Sequence, residues 1–263
     1  MWVRIPPAAS LMRTASEIGA ALNLSEAGFN DCEVSRRTGI PRSTVRAWRV
    51  GLVPVKQLRE RCLACGQEAH DFDVLPDEYA YLLGMYLGDG HIATYPRGVF
   101  CLRIYLDSSY PVIVDECRRA MAAMVPDNRV SVQWSKRAKM ATVGSYSKQW
   151  PCLLPQHGPG RKHERLISLT AWQQRVVGAN RRGFLRGLIH SDGCRSMNRV
   201  NPRGKTYSYP RYNFTNASAD IRALFCASCD ALGIDWREMN ARSISVARRV
   251  SVERLDAFVG PKM

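Results

Sequence analysis

The chain has 263 residues, of which 46% are hydrophobic; this excludes a wholly disordered basic protein and leaves material for one large domain or two small ones. Lys and Arg number 38 against 23 Asp and Glu, a formal net charge of +15, which points to a polyanionic partner: nucleic acid first, an anionic membrane surface second. No stretch of about 20 residues is free of charge, so no membrane span is expected; the opening Met1-Trp2-Val3-Arg4-Ile5-Pro6-Pro7 is too short in its apolar part for a signal peptide; and the nine scattered cysteines read as reduced thiols in a cytoplasm.

Residues 1–55 read as a small all-α domain. Ile18, Ala21, Leu22 and Leu24 recur at helical spacing over 14–27, and Gly28 closes that segment. Asp31 is the expected N-cap of a second helix over 32–37. Thr38-Gly39-Ile40-Pro41 makes a tight turn in which Gly39 takes a left-handed conformation, and a third helix covers 42–49. Val34, Ile40, Val45 and Trp48 would form the core, leaving Arg42, Ser43, Thr44 and Arg46 outward. The segment resembles a helix-turn-helix, in which the second helix of the pair enters the DNA major groove; Arg with short hydroxyls suits phosphates and base edges. The alternative is a three-helix packing module with a solvated basic face.

Residues 56–75 are charged, Pro-flanked and poorly periodic, as a linker is. Within them Cys62, Cys65 and His70 have the spacing to hold three corners of a tetrahedral Zn²⁺, with Asp71, Asp73 or the distant His91 left as the fourth ligand. A chance pair is the competing reading in a cysteine-rich chain. Cys226 and Cys229 repeat the spacing inside an apolar helix, where buried thiols are expected.

Further on, the chain repeats itself. Leu82-Leu83-Gly84-Met85-Tyr86-Leu87-Gly88-Asp89-Gly90 matches Leu185-Arg186-Gly187-Leu188-Ile189-His190-Ser191-Asp192-Gly193 at a constant offset of 103. Small residues recur every fourth position: Ala80, Gly84 and Gly88 in one copy, Gly183, Gly187 and Ser191 in the other. Residues four apart share a helix face, and a small-residue ladder lets two backbones approach closely. Gly84, Gly88, Gly187 and Ser191 are therefore the expected helix interface. Each helix ends in Asp-Gly, where the glycine is expected to form a left-handed cap. Packed in parallel, the helices would bring Asp89 and Asp192 together. Two carboxylates at helix C-termini repel each other and face the negative ends of two helix dipoles, so the pair calls for a cation, and hard oxygen ligands favour Mg²⁺.

The paired nonapeptides resemble the LAGLIDADG family of homing endonucleases in its single-chain, two-motif form. The resemblance covers 76–263, with halves at about 76–166 and 167–263. It implies an α+β fold: a pseudo-twofold duplicated α-β-β-α-β-β-α saddle, here preceded by the helix-turn-helix domain. It maps the family's metal ligands to Asp89 and Asp192, while Leu87 and His190 stand where the motif has its first acid. It further implies a basic residue near the scissile phosphates. Strand parity makes Lys139 the first candidate and Lys136 the second, an ordinary phosphate contact being the alternative for Lys139.

The remaining pattern agrees with two such halves. Phe100, Leu102, Ile104 and Leu106 alternate with Cys101, Arg103 and Tyr105; Val130, Val132 and Trp134 alternate with Ser131, Gln133 and Ser135, and the same parity reaches Arg137. Tyr212 and Phe214 alternate with Arg211, Asn213 and Thr215. Helices are expected over 115–124 and 221–232, and a strand carrying Ser243 and Ser245 beside Ile244 and Val246. Both halves end alike, in Gly158-Pro159-Gly160-Arg161-Lys162 and Gly260-Pro261-Lys262. Arg103, Tyr105, Gln133, Arg137, Arg211 and Asn213 are the expected DNA-facing residues of the sheets.

The leading expectation is a sequence-specific, Mg²⁺-dependent double-strand DNA endonuclease, monomeric with internal pseudo-twofold symmetry, cytoplasmic and nucleoid-associated if bacterial. The second is a transcriptional regulator that uses the same fold without cutting, and the third an RNA-splicing maturase. An intein is disfavoured because the chain lacks terminal His-Asn and a splicing nucleophile.

Overall fold

The repeat in the sequence is also a repeat of structure. In a computed structural model of the chain, residues 13, 15–53, 62–67, 69–135, 137–201, 204 and 206–260 are described, and the chain divides into two units, 1–70 and 71–263.

In the first unit, α1 (Ala15–Glu26), α2 (Asp31–Thr38) and α3 (Arg42–Arg49) pack around Ile18, Ala21, Val34, Ile40, Val45 and Trp48. Each of the larger side chains contributes about 1.5–3 kcal/mol on burial, which is what so small a core rests on. The N-cap of α2 is Asn30, not Asp31. The Asn30 Oδ1 accepts hydrogen bonds from the backbone N–H of Cys32 at 3.1 Å and Glu33 at 3.0 Å. Asp31 is the first helical residue and pairs instead with Arg49 at 3.1 Å. Both residue types cap well, and the one whose oxygen reaches two donors is the cap. Gly39, at φ 68°, ends α2 and turns Ile40 into the core.

The second unit holds the duplicated architecture. The first half runs α4 (Glu78–Asp89), β1 (Gly90–Tyr95), β2 (Val99–Asp107), α5 (Pro111–Met124), β3 (Val130–Ser135), β4 (Met140–Ser147) and a short α6 (Trp150–Leu153). After α7 (Ala171–Ala179) the second half repeats this order with α8 (Arg181–Asp192), β5 (Gly193–Val200), β6 (Tyr207–Thr215), α9 (Ala219–Ala231), β7 (Arg237–Asn240), β8 (Ser243–Val246) and α10 (Arg249–Val259). Each half forms a four-stranded antiparallel sheet, ordered β1-β2-β4-β3 and β5-β6-β8-β7. The two halves share one hydrophobic core centred on α4 and α8. Among the described residues no helix is long and apolar enough to cross a membrane.

Strand parity places most of the side chains as the alternation predicts. Leu102, Ile104, Leu106, Tyr212 and Phe214 are buried, while Tyr105 and Thr215 on the opposite parity are exposed. Cys101 is buried although it shares the parity of Tyr105, because it lies between Ala93 and Tyr146 on the neighbouring strands. Trp134 is 54% exposed. It lies near the end of the edge strand β3, next to the turn into β4.

Candidate functional site

The site is built where α4 and α8 end. A Cβ added to Gly84 would lie 2.5 Å from the Phe184 carbonyl oxygen and 2.8 Å from the Leu188 nitrogen; one added to Gly187 would meet the Tyr81 carbonyl and, at 3.0 Å, the Met85 nitrogen. The helices therefore touch backbone to backbone, as the small-residue ladder requires. One step further, Gly88 faces Ser191, whose Oγ turns back to the carbonyls of Gly187 and Leu188, both at 3.0 Å. At the other end the side chain of Asn180, the N-cap of α8, donates to the carbonyl of Asp77, the N-cap of α4, at 3.0 Å. These two caps are themselves 103 residues apart, so the helices run parallel and in register. Of the two remaining small residues of the ladder, Ala80 is fully buried and Gly183 lies under the Asn180 side chain of its own helix.

Asp89 and Asp192 are the last residues of these parallel helices, both half-buried. The Asp192 Oδ2 reaches across to Gly88 of α4 and accepts a hydrogen bond from the Asn216 amide at 2.6 Å. The glycines that follow are not left-handed caps. Gly90 has φ −86° and ψ 146°, and Gly193 φ −102° and ψ 163°, so strands β1 and β5 start at once. Glycine is required there by space: a Cβ on Gly90 would lie 2.5 Å from the Tyr86 Cα, and one on Gly193 2.7 Å from the Ile189 Cα. The immediate helix-to-strand turn fixes the direction of each aspartate.

A lysine lies beside both acids. The Nζ of Lys162 donates to the carbonyls of Tyr86 at 2.5 Å, Leu87 at 2.9 Å and Gly88 at 2.8 Å, capping the C-terminus of α4, and sits 5.0 Å from the centre of the Tyr86 ring. Three acceptors match the three N–H groups of an ammonium. The loop that delivers it is folded around Arg165, whose guanidinium donates to the carbonyls of Gln156, Gly158, Pro159 and Gly160. Burial pushes the Lys162 ammonium down to about 8, against the opposing pull of the Asp192 and Asp89 charges. Between that value and the ordinary lysine value of 10.5 the unfolded chain binds this proton and the folded chain does not, so the Lys162 contribution to stability rises with pH across that window. Urea unfolding of the parent and Lys162→Met is expected to shift in the parent's favour by roughly 3 kcal/mol between the two ends of the window. A stability difference that does not change with pH contradicts the burial-driven shift.

No family model and no curated protein matches the chain. Solved structures similar to it include I-DmoI in complex with DNA and Mn, at a TM-score of 0.47 and 14% identity over 70% of this chain and 97% of that one. They also include the N-terminal LAGLIDADG domain of DUF199/WhiA (TM-score 0.44, 16% identity, 70% and 81% covered) and the homing endonuclease I-WcaI bound to its DNA recognition sequence (0.45, 14%, 72% and 84%). The duplicated topology and the paired motif helices decide the fold, ahead of these distant superpositions. The chain has the LAGLIDADG fold.

At the first acid position of the two LAGLIDADG helices, Leu87 is an ordinary core residue and His190 is buried and fully engaged. Its Nε2 lies 3.0 Å from the Val259 carbonyl, which can only accept, so Nε2 carries a proton, and its Nδ1 shares a hydrogen bond with the Tyr81 hydroxyl at 3.1 Å. Beside it Arg186 pairs with Glu116 at 2.8 Å and donates to the Phe258 carbonyl at 2.6 Å. This position is structural, tying α10 to the motif helix.

The other predicted residues are distributed over the surface. Lys139 is exposed in the β3–β4 turn at φ 48°, beyond the strand register of Asp107; among the described residues, a lysine within electrostatic reach of both aspartates is Lys162. Lys136 and Lys262 lie outside the described residues. Tyr105, Gln133 and Arg137 are exposed, and Arg103 is half-buried, its guanidinium 2.6 Å from the Tyr95 hydroxyl. Arg211 and Asn213 are half-buried on β6. In the first unit Arg42, Ser43 and Arg46 are exposed on α3 and Thr44 is half-buried. Cys62, Cys65 and His70 do converge, with ligand atoms within 4.8 Å of one another.

Proposed function

We propose that the chain is a sequence-specific DNA-binding protein that cuts both strands of its site in a Mg²⁺-dependent reaction, with the first unit lengthening the contacted sequence. The observation that carries this reading is the placement of Asp89 and Asp192 at the ends of two parallel helices in backbone contact. Holding two carboxylates there works against both their mutual repulsion and the two helix dipoles. A polar network that favours only structure would have no use for the second charge. The donor set is hard oxygen, which suits Mg²⁺. When bound, such an ion supplies Lewis-acid chemistry for phosphodiester hydrolysis.

The protein's own groups divide the remaining tasks. Asn216 fixes the rotamer of Asp192, and Lys162 holds the last turn of α4, and so Asp89, in place. The ammonium of Lys162 also offsets part of the negative charge, which eases the approach of a phosphate. On the second sheet the Arg211 Nε, Asn213 Oδ1 and Ser245 Oγ are buried polar atoms without a hydrogen-bond partner among the described residues. Asn213 and Ser245 are neighbours across β6 and β8. Groups left unsatisfied in this way are costly in isolation and are met by a polar ligand on that face. Exposed Tyr105, Gln133 and Arg137 give the first sheet a matching polar surface.

The test is incubation of the purified chain with a randomised duplex library and Mg²⁺, followed by sequencing of cut ends. Discrete double-strand cuts support the endonuclease. Retention of one sequence without cutting supports the regulator, for which the exposed Arg42, Ser43 and Arg46 on α3 would be the added reading surface. In either case the excess of positive charge sets the salt response. If at least about six phosphates are contacted, affinity for the selected duplex falls by about 10³-fold or more between 50 and 200 mM salt. Affinity that hardly changes over that range rules out a basic sheet surface as the contact.

A further inference from the structure

Cys62, Cys65 and His70 take no part in the proposed reaction, and none of the described residues of 62–70 belongs to either hydrophobic core. Residues 62–67 form a tight turn. The N–H of Gly66 donates to the Cys62 carbonyl at 2.8 Å, and the N–H of Cys62 to the Gln67 carbonyl at 2.9 Å. Gly66 adopts φ +67°, the left-handed conformation that closes a tight turn and that a side chain would strain. The turn brings both thiols to one side while Leu63 at its tip points fully into solvent.

We propose that Cys62, Cys65 and His70 bind a structural zinc ion as three of its four ligands. Their ligand atoms lie within 4.8 Å of one another, and the Cys65 Sγ is 3.3 Å from the His70 Nε2. Zn–S bonds of about 2.3 Å and Zn–N bonds of about 2.0–2.1 Å at tetrahedral angles place ligand atoms roughly 3.5–3.8 Å apart, so a small adjustment accommodates the ion. Two soft thiolates with an imidazole select zinc over the magnesium suited to paired carboxylates. The pair Cys226 and Cys229, with the same spacing, lies buried in α9 among apolar side chains and has no such role. The ion would cross-link an otherwise irregular segment.

The full chain, purified under reducing conditions without chelator and desalted, is expected to retain about one zinc per chain by elemental analysis, and Cys62→Ser/Cys65→Ser or His70→Ala to lose at least about ten-fold of it. Asp89→Asn is expected to keep the zinc, which separates this site from the carboxylate pair and makes the result independent of DNA cleavage. Cobalt substitution of the unmutated chain gives a second readout that does not depend on a variant folding: thiolate-to-cobalt charge transfer with intense tetrahedral d–d bands. A parent chain that holds no zinc even after refolding with it, zinc content unchanged in the variants, or cobalt spectra without thiolate bands would each overturn the proposal. The 3.3 Å contact would then be a thiol–imidazole hydrogen bond.

Discussion

On the proposed endonuclease reaction, Asp89→Asn and Asp192→Asn are each expected to lower the rate of double-strand cutting of the selected duplex by at least about 10³-fold, with the double variant no worse than either single one. The non-additivity follows from geometry. Both acids end helices that touch through Gly84 and Gly187, both lie within the field of Lys162, and Asp192 reaches across to Gly88 of the partner helix. Groups that act as one unit are lost together. Asparagine is the informative replacement because it keeps the shape of each side chain and, at 192, an oxygen for the Asn216 amide. The same substitutions remove a like-charge repulsion, so the variants unfold at the same or higher urea concentration than the parent. Affinity for the duplex measured without divalent ions is retained. Loss of cutting together with loss of stability would mean the acids serve the fold, and full activity in either variant would remove the carboxylate pair from the mechanism.

Gly84→Ala is the second large effect, in stability. The added Cβ lies 2.5 Å from the Phe184 carbonyl oxygen and 2.8 Å from the Leu188 nitrogen, and neither is the end of a flexible side chain. The helices must separate along the centre of the core shared by both halves, with Leu83, Met85, Leu185 and Leu188 losing contact as they do so. Overpacking a core usually costs about 1–3 kcal/mol; a clash of backbone against backbone belongs at or beyond the top of that range. Gly187→Ala should behave alike, since its Cβ meets the Tyr81 carbonyl. Gly19→Ala is the control. It lies in α1 with no atom of the described residues within 4 Å of its Cβ, and there alanine should stabilise by about 0.5–1 kcal/mol. Denaturant midpoints read all three. A neutral Gly84→Ala would show that the helices are not held at the separation described.

The architecture of the second unit was legible in its sequence because its signal is local and occurs twice. The nonapeptides at 82–90 and 185–193 carry helix periodicity, the small-residue contact face and the terminal acids in one short string, and strand alternation supplies the rest. Lys162 was not identified as a partner of the acids. Its three acceptors lie 74 to 76 residues away, and it is delivered by a loop whose shape depends on Arg165 binding four carbonyls of that loop. The only trace in the sequence is the shared ending of the two halves at Gly158-Pro159 and Gly260-Pro261. The glycines after the acids were expected as left-handed caps because an Asp-Gly helix end commonly is one; the close approach to Tyr86 and Ile189 that requires them depends on the turn into the strand. The cap at Asn30 instead of Asp31 is a one-residue difference that pattern cannot resolve, since either side chain is suitable.

The hydrogen bond between Tyr81 and His190 makes the two halves unequal in the interior. At the offset of 103, Tyr81 corresponds to Phe184 and Leu87 to His190, so each half carries one member of a polar pair and the apolar counterpart of the other. A homodimer assembled from two copies of the first half would bury two phenol hydroxyls against leucines. One assembled from two copies of the second would bury two imidazoles against phenylalanines. Each orphaned group costs about 1–3 kcal/mol. In the interior the two halves are therefore complementary rather than interchangeable.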